Sequence, residues 1–178
     1  MNPDAPDAPV GLPPAVDRSQ RAEASTVLPA GPVSDPIRLN EYWPYQVTVL
    51  ADRIARLTGA IVKREAGLNL SQWRVLVAIA EVPGRTAAEV VTVTPMDKGI
   101  VSRATKALLE AGLLVRRASQ ADGRVSHLYL TEKGKSVYES LREAVEVVPL
   151  AANRMMNSGE QEAFCRHVRR LANSVPEG

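Results

Sequence analysis

Apolar residues recur every three or four positions through most of the chain, a spacing that predicts amphipathic helices. A first helix is predicted over residues 44–65, and Gly67 is placed to end it. A second helix, which we expect Ser71 to cap, ends before the pair Pro83-Gly84. The apolar stripe of the first helix comprises Val47, Leu50, Ala51, Ile54, Leu57 and Ile61.

Two more helices are predicted near the C-terminus. One begins at Thr131 and ends at Pro149, because proline cannot continue a helix ladder. The other opens at residues 158–161, where serine and the following acidic and amide side chains have the spacing of a capping box. Its apolar face comprises Phe164, Val168, Leu171 and Val175.

Residues 86–134 combine two short helices with a hairpin. A capping box that starts at Thr86 predicts a helix ending near Val93. The pair Thr94-Pro95 fits the N-cap and first helical position of a second helix, which we expect to reach Ala111. Two helices joined by about three residues are typical of a helix-turn-helix.

The second helix of this pair has one apolar side and one basic side. The predicted buried stripe is Met96, Ile100 or Val101, Ala104 and Leu108. The predicted outer face is Asp97, Lys98, Gly99, Ser102, Arg103 and Lys106. Lysine and arginine bind phosphates or guanine edges, serine bonds either, and glycine lets the backbone approach a groove closely. Taken alone, an ordinary solvated helix face would explain the same residues.

A basic hairpin follows this helix, and it favours nucleic-acid binding over an ordinary solvated helix face. Residues 113–115 are predicted as a short apolar strand, and Arg116 and Arg117 follow it directly. Residues 126–130, in which apolar and polar side chains alternate, are predicted as its partner strand. An Asp-Gly pair between them is a strong turn signal. The hairpin is interpreted as a wing, with Arg124 directed into a minor groove and Asp122 paired with a neighbouring arginine. Arg116 or Arg117 is expected to contact phosphates.

The ordered pieces resemble the winged helix-turn-helix of MarR-family transcriptional regulators. The resemblance is carried by MDKGIVSRATKALLEAGLLVRR, then DGR, then LYLTEKG, and upstream by LSQWRVLVAI. It covers residues 70–134 strongly and extends loosely to about 36–176. It implies a mainly α fold with a small β-wing, in which dimerisation helices at residues 36–67 and 135–176 flank the winged helix-turn-helix.

Assembly is implied by the same resemblance. In the family the first and last helices interlock between two chains, so that two recognition helices face successive major grooves of a roughly palindromic operator. A homodimer on double-stranded DNA is therefore expected. The alternative is a monomer whose outer helices only enlarge the core.

Residues 1–35 differ in composition from the domain at residues 36–178. Seven prolines and few large apolar side chains predict a disordered tail, with a dimer-wrapping or DNA-touching arm as the alternative. The tail has two arginines and five acidic residues, which give it a charge of −3. Because the whole chain has a net charge of +2, residues 36–178 carry +5. A mildly basic domain suits nucleic acid, although this charge alone would not indicate it.

An effector site is also implied by the resemblance, because many members release DNA on binding a small aromatic or phenolic anion. The candidate lining residues are Tyr42, Trp43, Tyr45, Trp73 and Arg74. The alternative is that the aromatic residues anchor helix packing, which we favour for Trp73. Some members sense peroxide through a cysteine near the first helix. Here Cys165 lies in the last helix beside Phe164, and we favour a packing role over redox sensing.

Enzymatic and metal-binding classes find no support. The sequence has no G-x-S-x-G or H-E-x-x-H motif, and the Gly-Lys-Ser at residues 134–136 lacks the earlier glycine of a phosphate-binding loop. His127 is expected at the wing surface. Cys165 and His167 stand two residues apart on a helix and point away from each other. We therefore expect no enzyme, no metal and no cofactor.

A single cysteine excludes an internal disulfide and fits a reducing, cytoplasmic location. No apolar run approaches the ~18 residues of a membrane span, and the N-terminus has no secretory-signal pattern. The sequence, with the resemblance, thus predicts a sequence-specific DNA-binding transcriptional regulator that acts as a repressor. Three alternatives stay open: a protein-interaction module built on a winged helix, a small-molecule binder or enzyme with incidental DNA affinity, and a redox-responsive regulator using Cys165.

Overall fold

The computed structural model of the protein describes residues 30–118 and 125–176. The chain divides into two units after Ile37, and within the described residues all secondary structure lies in the second unit. Residues 30–37 contain neither helix nor strand. The predicted disordered tail lies mostly outside the described residues and stays a prediction.

The described part of the second unit is mainly helical with one antiparallel hairpin. Its elements in chain order are α1 (Trp43–Ala66), α2 (Leu70–Glu81), α3 (Ala87–Val93), α4 (Lys98–Glu110), β1 (Leu114–Ala118), β2 (Ser126–Leu130), α5 (Glu132–Val145), α6 (Val147–Asn153) and α7 (Ser158–Ser174). This order confirms the predicted fold class, a winged helix-turn-helix flanked by N- and C-terminal helices. No helix among these residues is both long enough and apolar enough to cross a bilayer.

A short turn joins the first two helices, and hydrogen bonds explain where α1 ends and where α2 begins. Gly67 has φ +68° and donates its N–H to the Lys63 carbonyl, which confirms the predicted end of α1. The prediction that Ser71 caps α2 was wrong. Asn69 is the cap, because its side chain accepts from Gln72 N at 2.9 Å while Gln72 Oε1 accepts from Asn69 N at 2.7 Å.

The helix-turn-helix is formed by α3 and α4. The capping box of Thr86 and the end of α3 at Val93 are confirmed. The predicted cap of α4 was wrong, because Thr94 terminates α3 and donates its hydroxyl to the Val90 carbonyl at 2.6 Å. Asp97 caps α4 instead by accepting from Ile100 N at 2.7 Å, so the helix begins three residues later than predicted.

The wing pairs Leu114 with Leu130 and Arg116 with Leu128 across β1 and β2. The arginines lie within β1, whereas the sequence placed them just beyond it. A third segment adds to the sheet, because Gly84 N donates to the Leu128 carbonyl at 2.9 Å and Leu128 N donates to the Arg85 carbonyl at 3.1 Å. The loop after α2 is thereby attached to the wing.

The C-terminal helices depart from prediction in two places. Pro149 does not end a helix but lies within the first turn of α6, where a missing backbone N–H leaves no helical bond unmade. The preceding helix α5 already ends at Val145, with Glu146 as its C-cap. The cap of α7 is Asn157, paired reciprocally with Glu160, and not Ser158.

The core lies where α1, α2, α4, α5 and the hairpin converge. Its most deeply buried large side chains are Val62, Leu76, Ile79, Leu108, Leu128 and Leu141. At its edge α5 approaches the chain segment before β1 so closely that a Cβ at Gly134 would collide with the Leu113 carbonyl. A glycine is therefore required at this position for α5 to pack on the base of the wing.

Candidate nucleic-acid interface

The helix α4 divides into a buried side and an exposed side. The buried residues are Met96 just before it and Val101, Ala104, Thr105 and Leu108 within it. Val101 rather than Ile100 occupies the ambiguous position of the predicted stripe. Thr105 was not predicted to be buried, and its hydroxyl has no hydrogen-bond partner among the described residues.

All six residues predicted on the outer face of α4 are exposed, namely Asp97, Lys98, Gly99, Ser102, Arg103 and Lys106. Lys106 lies 3.8 Å from a carboxylate oxygen of Glu110, and its side chain is 78% exposed. A surface ion pair of this kind is weak, so it leaves the ammonium group of Lys106 able to bind another anion. Within the described residues, neither Lys98 nor Arg103 forms an ion pair. The outer face thus presents three cations to solvent.

The two arginines of β1 point to opposite faces of the wing. Arg116 lines a cavity of about 360 Å³ with Lys98 and Ser102, on the side that faces α3 and α4. Arg117 lies on the other face, with its guanidinium carbon 5.4 Å from the ring centroid of Tyr129. Only Arg116 therefore continues the basic surface of α4.

The predicted wing-tip residues, Asp122 and Arg124, lie outside the described residues. The base of the wing is held by contacts that the sequence did not predict. His127 Nδ1 donates to the Gly84 carbonyl at 2.7 Å, so His127 is a half-buried anchor rather than a surface residue.

Arg85 fixes the same loop to α2. Its guanidinium donates to the Ala78 carbonyl at 2.7 Å and to a carboxylate oxygen of Glu81 at 2.6 Å, and the side chain is 15% exposed. The spacing of Glu81 and Arg85, four residues apart, was the one available signal for this pair, but it falls across a helix end. Arg85 and His127 together hold the wing against α2 and the loop that follows it.

The capping box of α3 also lowers the pKa of a carboxyl group. The backbone N–H and the hydroxyl of Thr86 both donate to Glu89, at 2.7 and 2.9 Å. These two hydrogen bonds lower the pKa of Glu89 below its usual range, because they favour the ionised carboxylate.

The outer helices expose the apolar stripes that the sequence predicted. On α1, Val47, Leu50, Ile54 and Leu57 are 44–51% exposed, and only Ile61 of that stripe is buried. No residue of α7 is buried, and Phe164, Val168, Leu171 and Val175 are 41–59% exposed. These two stripes, here called the α1 stripe and the α7 stripe, have no cover within the described chain.

The five candidate effector residues fall into two settings. Tyr42, Trp43 and Tyr45 are exposed at the start of α1. Trp73 is buried and stacks on Tyr138 at a centroid distance of 5.7 Å, in keeping with the packing role that we favoured. Arg74 is half-buried beside it in α2. A cavity of about 330 Å³ next to Tyr138 is lined by other residues, among them Pro83, Tyr129 and Lys135.

Cys165 is exposed, so the expectation of a packing role within the chain was wrong. The reason is that its helix, α7, buries no side chain in the described structure. Among the residues that the structure describes, no three His, Cys, Asp or Glu side chains are grouped in a way that could hold a metal ion.

The central part of the chain is similar to a known family. A sequence model of the MarR family matches residues 66–125, from the end of α1 to the start of β2. The curated relative PetP, an HTH-type transcriptional regulator of Rhodobacter capsulatus, is 36% identical over 72 residues. That match covers 40% of this chain and 43% of PetP, less than half the length of that relative.

Solved structures share the fold over more of the chain. PcaV, a transcriptional regulator of Streptomyces coelicolor solved with its natural ligand, matches 79% of this chain and 98% of its own, with a TM-score of 0.68 at 24% identity. BpsR of Bordetella bronchiseptica, whose DNA binding is regulated by 6-hydroxynicotinic acid, matches 71% of this chain and 98% of its own, with a TM-score of 0.59 at 24% identity. At this identity the likeness shows the fold alone.

Proposed function

We propose that the chain is a transcriptional regulator of the MarR family that binds an operator in duplex DNA as a homodimer, because a sequence model of that family matches residues 66–125 and the matched relatives are regulators. The domain proposed to do this spans residues 36–178, with the winged helix-turn-helix at 70–134 and dimerisation helices at 36–67 and 135–176. The proposal agrees with the expectation that the protein is no enzyme, since the matched relatives are regulators.

The observation that carries the proposal is the exposed basic face of α4. Lys98, Ser102 and Arg103 project from a helix whose opposite side is packed into the core, so their positions are set by a rigid element. In the proposed complex this face enters the major groove, where arginine reads guanine and lysine binds phosphate or guanine. Lys106 extends the face toward the helix C-terminus.

The wing is proposed to bind the DNA beside α4. Arg116 shares a surface with Lys98 and Ser102 and is therefore assigned a phosphate. Arg117 lies over Tyr129 on the opposite face, so it is assigned a structural role first. Arg124 is proposed to reach a minor groove with Asp122 beside it, as the sequence predicts.

The exposed α1 and α7 stripes support the homodimer. Eight large or β-branched apolar side chains on two helices, each more than 40% exposed, form the kind of surface that marks a protein interface. A second copy of the chain offers the same two stripes, and a two-fold axis would make them self-complementary. Such a dimer presents two α4 helices to a palindromic operator.

Release of the DNA by a small aromatic or phenolic anion is proposed as the regulatory step, which makes the protein a ligand-responsive repressor. BpsR, a structural relative, responds to 6-hydroxynicotinic acid, an aromatic acid of this class. Tyr42, Trp43 and Tyr45 offer exposed aromatic surface, and Arg74 offers a cation that is half-buried. Trp73 would contribute only its accessible edge.

The test is a mobility-shift titration with the DNA that flanks the gene, using scrambled duplex as competitor and several salt concentrations. A selective shift with a steep salt dependence is expected, because phosphate contacts release counterions. Binding without selectivity, or a complex insensitive to salt, would contradict the proposal and favour a protein-docking module. Light scattering of the free protein tests the dimer separately.

A further inference from the structure

The first turn of α4 contains a glycine at a position where a side chain would touch two charged groups. A Cβ placed on Gly99 would lie 3.2 Å from Asp97 Oδ1 and 3.3 Å from Arg103 Nη1. Both separations are shorter than an ordinary van der Waals contact, so each neighbour would have to give by a few tenths of an ångström. The guanidinium of Arg103 therefore lies in space that stays open because residue 99 has no side chain.

The two neighbours differ in how freely they can move. Asp97 is held in place, because its Oδ1 accepts the capping hydrogen bond from Ile100 N at 2.7 Å. Arg103 is exposed, and no carboxylate among the described residues forms an ion pair with it. An added methyl group at residue 99 would thus displace the guanidinium more readily than the capping carboxylate of Asp97.

We infer that Gly99 is a specificity-determining residue that acts by positioning Arg103, an inference that rests on the proposed function. A bidentate contact to guanine needs the planar guanidinium in one orientation, since both of its hydrogen bonds share that plane. Because residue 99 has no side chain, the guanidinium can lie close over the first turn of α4, and a side chain at that position would push it away. In the alternative interpretation of Gly99, the bare backbone approaches the groove and the glycine has no role through Arg103.

The chain contains a matched control for the loss of a glycine. Gly159 is the second residue of α7, just as Gly99 is the second residue of α4, and each helix is capped by an Asx side chain two residues earlier. A Cβ on Gly159 would meet only Asn157 Oδ1 at 3.5 Å, an ordinary contact, and no arginine. Neither glycine has a positive φ, so alanine is compatible with both backbones.

The experiment uses the full-length protein and an operator selected by the wild type from a pool of random duplexes. Binding is then measured for every single-base-pair variant of that operator, with wild type, G99A, R103A, the double variant and G159A. The base pair at which R103A loses discrimination is the pair that Arg103 reads. Thermal melting of each variant confirms that the fold is kept.

At that base pair G99A is expected to lose about tenfold in discrimination, within the range of one bidentate contact. Its affinity for scrambled duplex should stay within about twofold of wild type, because non-specific binding depends on charges that are unchanged. The double variant should discriminate no worse than R103A, since the two residues act as one unit. G159A should match wild type throughout.

Two results would overturn the inference. One is wild-type discrimination by G99A. The other is a uniform loss of affinity for all duplexes that recurs when G99A is added to R103A, which would show that the glycine serves backbone approach. Failure of the proposed function is visible earlier and separately, because the wild type would then select no sequence from the pool.

Discussion

The helices α4 and α7 are built from similar sequence patterns and end in opposite environments. Each has an Asx cap, an apolar stripe at helical spacing and several arginines or lysines. In α4 the stripe is buried, with Val101 at 1% exposure and Leu108 at 0%, whereas in α7 Phe164 and Val168 are each 46% exposed. Amphipathicity therefore shows that a helix has an apolar face to bury, but not in which chain its partner lies.

The contrast separates two layers of the molecule. The lobe formed by α2, α3, α4 and the wing completes its core within one chain. The side chains of the α1 and α7 stripes become buried only if another surface covers them. In the proposed function, that surface is a second copy of the chain. The lobe then sets which bases are contacted, and the outer helices set the distance between the two contacts.

The largest effect is expected from a glycine packed on the base of the wing compared with one in α1. G134A places a Cβ against the Leu113 carbonyl, a backbone atom that cannot rotate away, and should lower the free energy of unfolding by about 3 kcal/mol or more. G59A, in α1, adds a Cβ 3.8 Å from that of Leu70, an ordinary contact, and should be neutral or stabilising. Urea denaturation at one protein concentration measures both, and equal stability of the two variants would contradict this account of Gly134.

A pair of core-type truncations tests whether the two layers depend on different partners. L108A should cost about 2–5 kcal/mol at every protein concentration, because the cavity it leaves lies within one chain. I54A should cost less, and its cost should depend on concentration, because Ile54 is 44% exposed in the single chain and gains cover only on association. Melting curves over a range of concentrations distinguish the two. A concentration-independent cost for I54A would argue against α1 as a dimer helix.

A smaller effect of opposite sign is expected at Thr105. Its buried hydroxyl has no partner among the described residues, so T105V exchanges an unsatisfied polar atom for a methyl group of similar shape. The variant should be more stable by about 1 kcal/mol in chemical denaturation. T92V serves as the control, because the hydroxyl of Thr92 donates to the Glu89 carbonyl at 2.8 Å on an exposed surface. A destabilised T105V would indicate that the hydroxyl is satisfied after all.

The smallest effect concerns pH and Glu89. The pKa of this carboxyl is lowered in the folded lobe by the hydrogen bonds from Thr86, so the folded state favours the ionised form. Its contribution to stability is therefore present above the unfolded pKa and is lost as pH falls through the lower folded pKa. E89Q keeps a capping side chain without the titration. The difference in melting temperature between wild type and E89Q should shrink from about pH 7 to about pH 3, and a constant difference would refute the assignment.

The elements with strong local causes were predicted closely. The end of α1 at Gly67, the capping box at Thr86 and the second strand of the wing follow from short-range chemistry that a few neighbouring residues decide. Caps were predicted less well, because several residues near each helix start could serve. Thr94, Ser71 and Ser158 are all capable caps, but Asp97, Asn69 and Asn157 accept the hydrogen bonds in the folded chain.

By itself the sequence determined the helix-turn-helix, the basic outer face of α4 and the resemblance to the MarR family, because periodicity and motif order are properties of the chain. Only the tertiary structure decided on which face of the wing each arginine lies. Neighbouring residues of a strand point to opposite faces, but which face is which depends on how the strand pairs. Only the tertiary structure showed Arg85 and His127 as anchors, Cys165 as exposed and Gly134 as indispensable. Each of these depends on contacts between residues far apart in sequence, which local patterns do not encode.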